Sequence, residues 1–251
     1  MDSQTELHPV VWTNEKIGQF HNNVDMLIQT GKKTNNYFSY QSGIALLNFF
    51  NKIQSFRDKT ILDYGCGPGH FINLLLTKFK PKVVYGFDLA DESIRECNEK
   101  NVSMSSYGGG VSGCECNYES NKFDVILLIE VVEHVDDSTL SYIFQQCYRM
   151  LKKNGVLMIS TPNREILGDS IQICPDCGCY FHSVQHVRTW NGNTLSEYLM
   201  KEKFCDIKFY ETTLFSDKTL LKKFLSRIIV ILMRIFKMQQ KNLIVRCKKN
   251  E

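Results

Sequence analysis

The chain has 251 residues, 43% hydrophobic and 23% charged, ordinary values for a globular protein with room for a real core. Its net charge of +3 hides a divided chain: residues 201–251 carry 13 Lys+Arg against 5 Asp+Glu, a net +8, which leaves −5 on the remainder. No stretch reaches the roughly 20 apolar residues of a membrane span. The polar start MDSQTELHPVVW lacks the basic and apolar regions of a signal peptide. Ten cysteines without framework spacing read as reduced thiols, so a cytoplasmic protein is expected.

Apolar residues recur at spacings of three and four over 13–28 and 40–53, which predicts two helices. The rhythm then changes. A short apolar strand over 60–64 breaks into a glycine-rich turn and a second apolar run, 71–79. A strand over 82–87 ends on Asp88, and a helix is expected from about Asp91. A buried strand over 123–129, a helix over 138–151 and a strand over 155–160 follow. Next comes a connection of about thirty residues, long for a compact domain and therefore a candidate functional loop. A helix resumes near Thr194, where Thr194-Leu-Ser-Glu197 has capping-box spacing, and strands over 204–212 and 242–246 close the chain. Strands alternating with helices predict an α/β fold, a mostly parallel sheet covered on both faces.

The turn Asp63-Tyr-Gly65-Cys-Gly67-Pro-Gly69 leaves a strand and opens a helix, where glycines let backbone approach a ligand closely. Its G-x-G-x-G spacing departs from the G-x-G-x-x-G of dinucleotide folds. Asp88, nineteen residues beyond Gly69 at the end of the next strand, can accept hydrogen bonds from both hydroxyls of a ribose. The segments ILDYGCGPGHF (61–71), VVYGFDLADESI (83–94), FDVILLIEVVEHVDD (123–137) and LKKNGVLMISTPN (151–163) together resemble the class I S-adenosylmethionine (SAM) dependent methyltransferases, near the ubiquinone-biosynthesis O-methyltransferase group. The resemblance implies a Rossmann-like sheet of seven strands with the last antiparallel. It also implies SAM as cofactor over Asp63, Gly65, Gly67 and Gly69, with Asp88, Leu89 and Glu130 completing its site. The Gly-Asp pair of many relatives is missing after the third strand, which leaves Glu115 as the adenine contact by elimination.

Glu130-Val-Val-Glu133-His134 leaves the fourth strand where the methyl group is to be transferred, and Glu130, Glu133 and His134 are the candidate catalytic residues. An imidazole with an ordinary pKa near 6.5 suits deprotonation of an oxygen nucleophile. The same E-x-x-E-H pattern is similar to small-RNA 2′-O-methyltransferases, in which two Glu and two His hold a divalent ion; His186 falls at their fourth ligand. It is equally similar to small-molecule O-methyltransferases.

The loop CPDCGCYFHSVQH (174–186) places Cys174, Cys177, His182 and His186 at the compact spacing C-x₂-C-x₄-H-x₃-H, a candidate structural zinc site with Cys179 as competing ligand. A loop without metal is the alternative. His186 cannot serve both this zinc and the Glu130/Glu133/His134 site. Between the last two strands, 214–238 forms an amphipathic pattern with six basic residues beside a bulky aliphatic face, expected to lie at a membrane interface; a lid or subunit contact is the alternative, and nucleic acid is disfavoured. The chain is therefore expected to be one domain, 1–251, with a helical lid over 1–58 that includes Tyr37 and Phe38, and insertions at 164–190 and 214–238. The expected function is O-methylation of a small or lipid-linked, glycan or quinone-like acceptor. The alternatives are a metal-dependent RNA 2′-O-methyltransferase and a SAM-binding protein without turnover.

Overall fold

The computed structural model describes residues 6–32, 40–214 and 240–250, with Ile229, Ile231 and Met233. In chain order the elements are β1 (His8–Pro9), α1 (Asn14–Gln29), α2 (Tyr40–Ile53), β2 (Thr60–Tyr64), α3 (His70–Lys78), β3 (Val83–Asp88), α4 (Asp91–Asn101), β4 (Tyr107–Ser112) and β5 (Phe123–Ile129). They continue with α5 (Asp137–Met150), β6 (Leu151–Pro162), β7 (Ile171–Ile173), β8 (Cys179–His182), α6 (Gly192–Lys201), β9 (Phe204–Thr212) and β10 (Asn242–Lys249). Seven strands form one sheet in the order β4-β3-β2-β5-β6-β10-β9, in which only β10 runs against its neighbours. This is the Rossmann-like architecture that the strand–helix alternation predicts.

Side-chain alternation along the strands feeds two cores. Leu62, Ile126, Leu128 and Leu157 face Phe144 and Leu195 on one side of the sheet. Ile61, Val125, Leu127 and Met158 face Leu46, Phe50 and Leu75 on the other. Because both faces are covered, β2 and β5 read as unbroken apolar runs rather than alternating ones. The chain winds outward in opposite directions from β2 and β5, so their carboxyl ends flank a crevice, where open α/β sheets bind ligands.

Several expectations need correction. The edge strand β4 has the sequence YGGGVS, which carries no apolar alternation. It is held instead by pairing with β3 and by Asn98, whose side-chain oxygen accepts from the Gly110 N–H at 2.8 Å. Helix α6 begins one turn before the predicted box: Asn191 is the cap, accepting from Thr194 N–H at 3.1 Å, while the Thr194 hydroxyl takes the N3 role. The long connection also contains a second small sheet, β1-β8-β7, in which the N-terminal β1 pairs in parallel with β8. Tyr37 and Phe38 of the expected lid lie outside the described residues. So does the amphipathic pattern 214–238, apart from Leu214, Ile229, Ile231 and Met233. Its flanks are described: Leu214 N–H donates to the Asn242 side chain, and Asn163 Nδ2 donates to the Gln240 carbonyl at 2.9 Å. Asn242 pairs with Pro162 at the end of β6, so the segment leaves and returns at the crevice edge of the sheet.

Candidate active site

A cleft of about 480 Å³ opens over the carboxyl ends of β2, β3 and β5 and is roofed by Ile17, Gly18, His21 and Val24 of α1. Its floor is the turn after β2. Gly65 has φ +83° and Gly69 φ +78°, and a Cβ on either would fall 2.5 Å from Val131 Cγ2 or Cys97 Sγ. Gly67, at φ +49°, differs: a Cβ there would meet no protein atom and would point into open space. The Asp88 carboxylate accepts from Gly67 N–H at 2.8 Å and from Ala90 N–H at 3.0 Å, which ties the end of β3 to the turn. The Leu89 backbone N–H faces it as well; a carboxylate has about four acceptor positions, so one remains for a ligand. Burial raises the Asp88 pKa against these hydrogen bonds.

Asp63 is buried beside the turn and does not line the cleft. Among the described residues neither of its carboxylate oxygens has a partner, and burial lifts its carboxyl to about 8. Leu89 and Glu130 do line the cleft; Glu115 is exposed and does not, whereas its neighbour Cys114 does.

At the end of β5 the chain turns through Glu130, held at φ +54°. A non-glycine residue there is strained by about 1–3 kcal/mol, a cost found where neighbours fix a working geometry. The Ser160 hydroxyl of β6 donates to Glu130 at 2.8 Å, and the Thr161 hydroxyl to Glu133 at 2.9 Å. Burial lifts the Glu130 carboxyl to about 7, and burial together with the Glu130 charge lifts Glu133 well above its usual range. Glu133 Oε1 has no hydrogen-bond partner of ordinary geometry among the described residues and lies 4.0 Å from His186 Nε2.

The proton positions on the histidines follow from their partners. His134 Nδ1 faces two acceptors of Gln185, its side-chain oxygen at 3.1 Å and its carbonyl at 3.3 Å. The amide orientation is fixed because Gln185 Nε2 donates to the His134 carbonyl at 2.8 Å. His134 Nδ1 therefore carries the hydrogen and Nε2 the lone pair. Likewise His186 Nδ1 donates to Glu165 at 2.5 Å, leaving its Nε2 lone pair facing Glu133. A carboxylate behind one ring nitrogen is the arrangement that orients metal-binding imidazoles. Burial, and then the charges of His21 and His186, push the His134 pKa well down, so the ring is neutral at neutral pH.

Glu133, His134 and His186 thus offer donor atoms within 4.8 Å of one another, and Glu165, His182 and His186 form an adjoining set. The expected Cys174/Cys177/His182/His186 grouping is divided. Cys174 and Cys179 flank a tight turn and gather with Cys177, while His182 stands at the other end of the hairpin, opposite Ile171. Three residues of strand, about 10 Å, separate it from Cys179. His186 lies with Glu133, His134, Glu165 and His182 rather than with the cysteines. The Cys177 thiol is held below its ordinary range by the Cys179 backbone N–H and the neighbouring thiols, with the His8 charge adding to this.

The profile of a methyltransferase-domain family matches residues 39–204. The chain belongs to that family. With this sheet order it is a class I SAM-dependent methyltransferase. Ubiquinone biosynthesis O-methyltransferase from Pelagibacter ubique is 33% identical over 109 residues, 42% of this chain and 43% of that one. The same-named protein of Haemophilus ducreyi is 33% identical over 136 residues, covering 49% and 56%. The methyltransferase thus spans about half the length of these relatives. Among solved structures, Burkholderia thailandensis 1,6-didemethyltoxoflavin-N1-methyltransferase superposes over 100% of this chain and 98% of its own, with a TM-score of 0.61 at 15% identity.

The crevice of the methyltransferase fits SAM on its own geometry: a glycine turn open above Gly67 and spare acceptor capacity on the Asp88 carboxylate that lines the cleft. Sequence reasoning missed His21, Gln185 and Glu165. His21 Nε2 lies 3.3 Å from the same Gln185 oxygen that His134 uses, and its ring is 5.4 Å from that of His134. Gln185, fully buried at φ +63°, carried no signal that sequence could show.

Proposed function

We propose that this protein transfers the SAM methyl group to a hydroxyl oxygen of a small phenolic, quinone-like acceptor, and that Glu133, His134 and His186 hold a divalent cation beside the transfer site. The observation that carries the reading is that Glu133, with an unpartnered Oε1 among the described residues, His134 and His186 bring ligand atoms within 4.8 Å of one another beside the cleft that His134 lines. Such a cation lowers the pKa of a bound hydroxyl and holds the oxygen in place. Glu130 lines the cleft next to this set. Gln185 keeps the His134 lone pair directed away from itself, so His134 acts as ligand or proton acceptor without first losing a proton. In-line displacement needs alignment above all, and α1 supplies a largely apolar roof that excludes water. The names of the relatives, and an oxygen nucleophile's need for activation, support the phenolic acceptor.

The basic, aliphatic segment 214–238 returns to the same edge of the sheet. This supports a cytoplasmic enzyme whose segment meets an anionic membrane and receives a lipid-linked acceptor there. Among the described residues no helix is long and apolar enough to cross a membrane. Because His186 gathers with Glu133 and His134, a ribose 2′-hydroxyl of a small RNA is the second acceptor to be tried.

The test is transfer of labelled methyl from SAM to a prenylated catechol, with and without chelator. Loss on chelation, recovery with Mg²⁺ or Mn²⁺, and loss of recovery in Glu133→Gln are the expected results. Transfer indifferent to chelator and to Glu133→Gln would remove the metal from the mechanism. Transfer only to RNA would replace the acceptor.

A further inference from the structure

The tip of the β7–β8 hairpin takes no part in the chemistry above, yet it is built closely. Gly178 adopts φ +71°, its N–H donates to the Cys174 carbonyl at 3.0 Å, and Cys174 N–H donates to the Cys179 carbonyl at 2.8 Å. The turn gathers the sulfurs of Cys174, Cys177 and Cys179 within 4.8 Å of one another, and all three are free thiols. Three thiolates on one turn form a soft donor set that zinc completes with a fourth ligand.

The N-terminal segment carries a histidine beside this turn, its ring nitrogens standing outside the 4.8 Å within which the three sulfurs gather. β1 runs parallel to β8 with His8 in register with Cys179, and residues in register on adjacent strands present their side chains to the same face, about 5 Å apart. His8 is exposed, and its Nδ1 lies 3.1 Å from the Glu6 carbonyl. A carbonyl only accepts, so Nδ1 carries the hydrogen and Nε2 keeps its lone pair. A backbone carbonyl behind one ring nitrogen is a common support of a metal-binding histidine.

We propose that Cys174, Cys177 and Cys179, with His8, form a structural zinc site of Cys₃His type that staples the N-terminus to the hairpin. The staple has a use. Between β1 and the helix α1 stands Trp12, which packs edge-on against Phe20 of α1 at 5.6 Å and against Phe181 of β8 at 6.2 Å. Fixing β1 to β8 therefore fixes the start of the helix that roofs the cofactor. Zinc leaves the chemistry untouched and holds the roof in place.

The test uses the reduced, tag-free full chain. Cobalt substitution reports on this site alone, because the acid–histidine cluster holds no sulfur and gives no thiolate charge-transfer band. The expected result is tightly held zinc, a cobalt–thiolate band of three-sulfur intensity, and loss of that band in Cys179→Ser. His8→Ala is expected to keep the thiolates but weaken zinc tenfold or more, and to weaken SAM binding severalfold. Circular dichroism of each variant separates lost binding from lost folding, and the wild-type cobalt spectrum stands whether or not the serine variants fold. A wild-type chain without a thiolate band overturns the site. A band that survives Cys179→Ser but not His182→Ala restores the Cys₂His₂ set in its place. Unchanged zinc affinity in His8→Ala overturns the staple.

Discussion

Gly65→Ala and Gly67→Ala are expected to damage this protein in different ways, although the two residues share one turn. At Gly65 the added methyl would stand 2.5 Å from Val131 Cγ2, with the backbone at φ +83°. Left-handed backbone costs alanine about 1–2 kcal/mol, and forcing a methyl into packed space costs about 1–3 more. At Gly67 only the backbone term applies, because the methyl meets no protein atom. For a chain of this length each kcal/mol moves the melting temperature by roughly 3 °C. Gly65→Ala should then melt roughly 6–15 °C below the wild type, and Gly67→Ala roughly 3–6 °C below. Binding should show a separate effect in Gly67→Ala, whose methyl enters the cofactor cleft. A clash of about 1–3 kcal/mol weakens SAM by roughly 5- to 150-fold, in a protein that remains folded. Differential scanning fluorimetry without ligand and calorimetric titration with SAM measure the two effects. A Gly67→Ala variant that binds SAM within twofold of wild type would show that the cofactor does not lie over this turn.

Burial gives Asp63 a folded-state pKa of about 8, against about 3.9 in the unfolded chain. Between those values the folded chain holds a proton that the unfolded chain has released, so this residue lowers stability as pH rises from about 4 to about 8. Asp63→Asn should narrow its melting-temperature deficit, or widen its advantage, as SAM-free protein is taken from pH 5 to pH 8; a difference from wild type that stays constant with pH refutes the assignment. Gln185→Leu removes the side-chain acceptor of His134 Nδ1, leaves only the longer contact to the backbone carbonyl at 3.3 Å, and leaves buried polar groups unpaired, at a cost of about 1–3 kcal/mol for each such group. It should lower both stability and turnover, and wild-type turnover at unchanged SAM affinity would show that the Gln185 side chain is not needed to orient His134.

What sequence could show here followed the range of the forces involved. The central strands were legible because Ile61, Leu62, Val125 and Ile126 are all fully buried, and burial on both faces writes itself as an apolar run. The cofactor turn was legible because its glycines answer local demands of backbone angle and contact. β4 was not, since its glycines are held by Asn98 and a neighbouring strand rather than by a pattern of their own. β7 was not, its three residues being exposed. The acid–histidine cluster was half legible. Glu130, Glu133 and His134 share one turn after β5, but Glu165, His182, Gln185 and His186 reach it from a distant connection, and His21 from the opposite end of the fold. His182 was parted from the cysteines because Cys179 to His182 is extended strand, whose length the spacing of cysteines and histidines does not record.

The oxygen of Gln185 that His134 and His21 both approach has a consequence for the catalytic cycle. His21 belongs to the roof helix, and His134 to the transfer site beneath it. His21 therefore touches two things at once: it lines the cofactor cleft, and it shares the hydrogen-bond acceptor that orients the His134 ring. A change at position 21, which need not touch the methyl acceptor, should be felt both in cofactor affinity and at the transfer site.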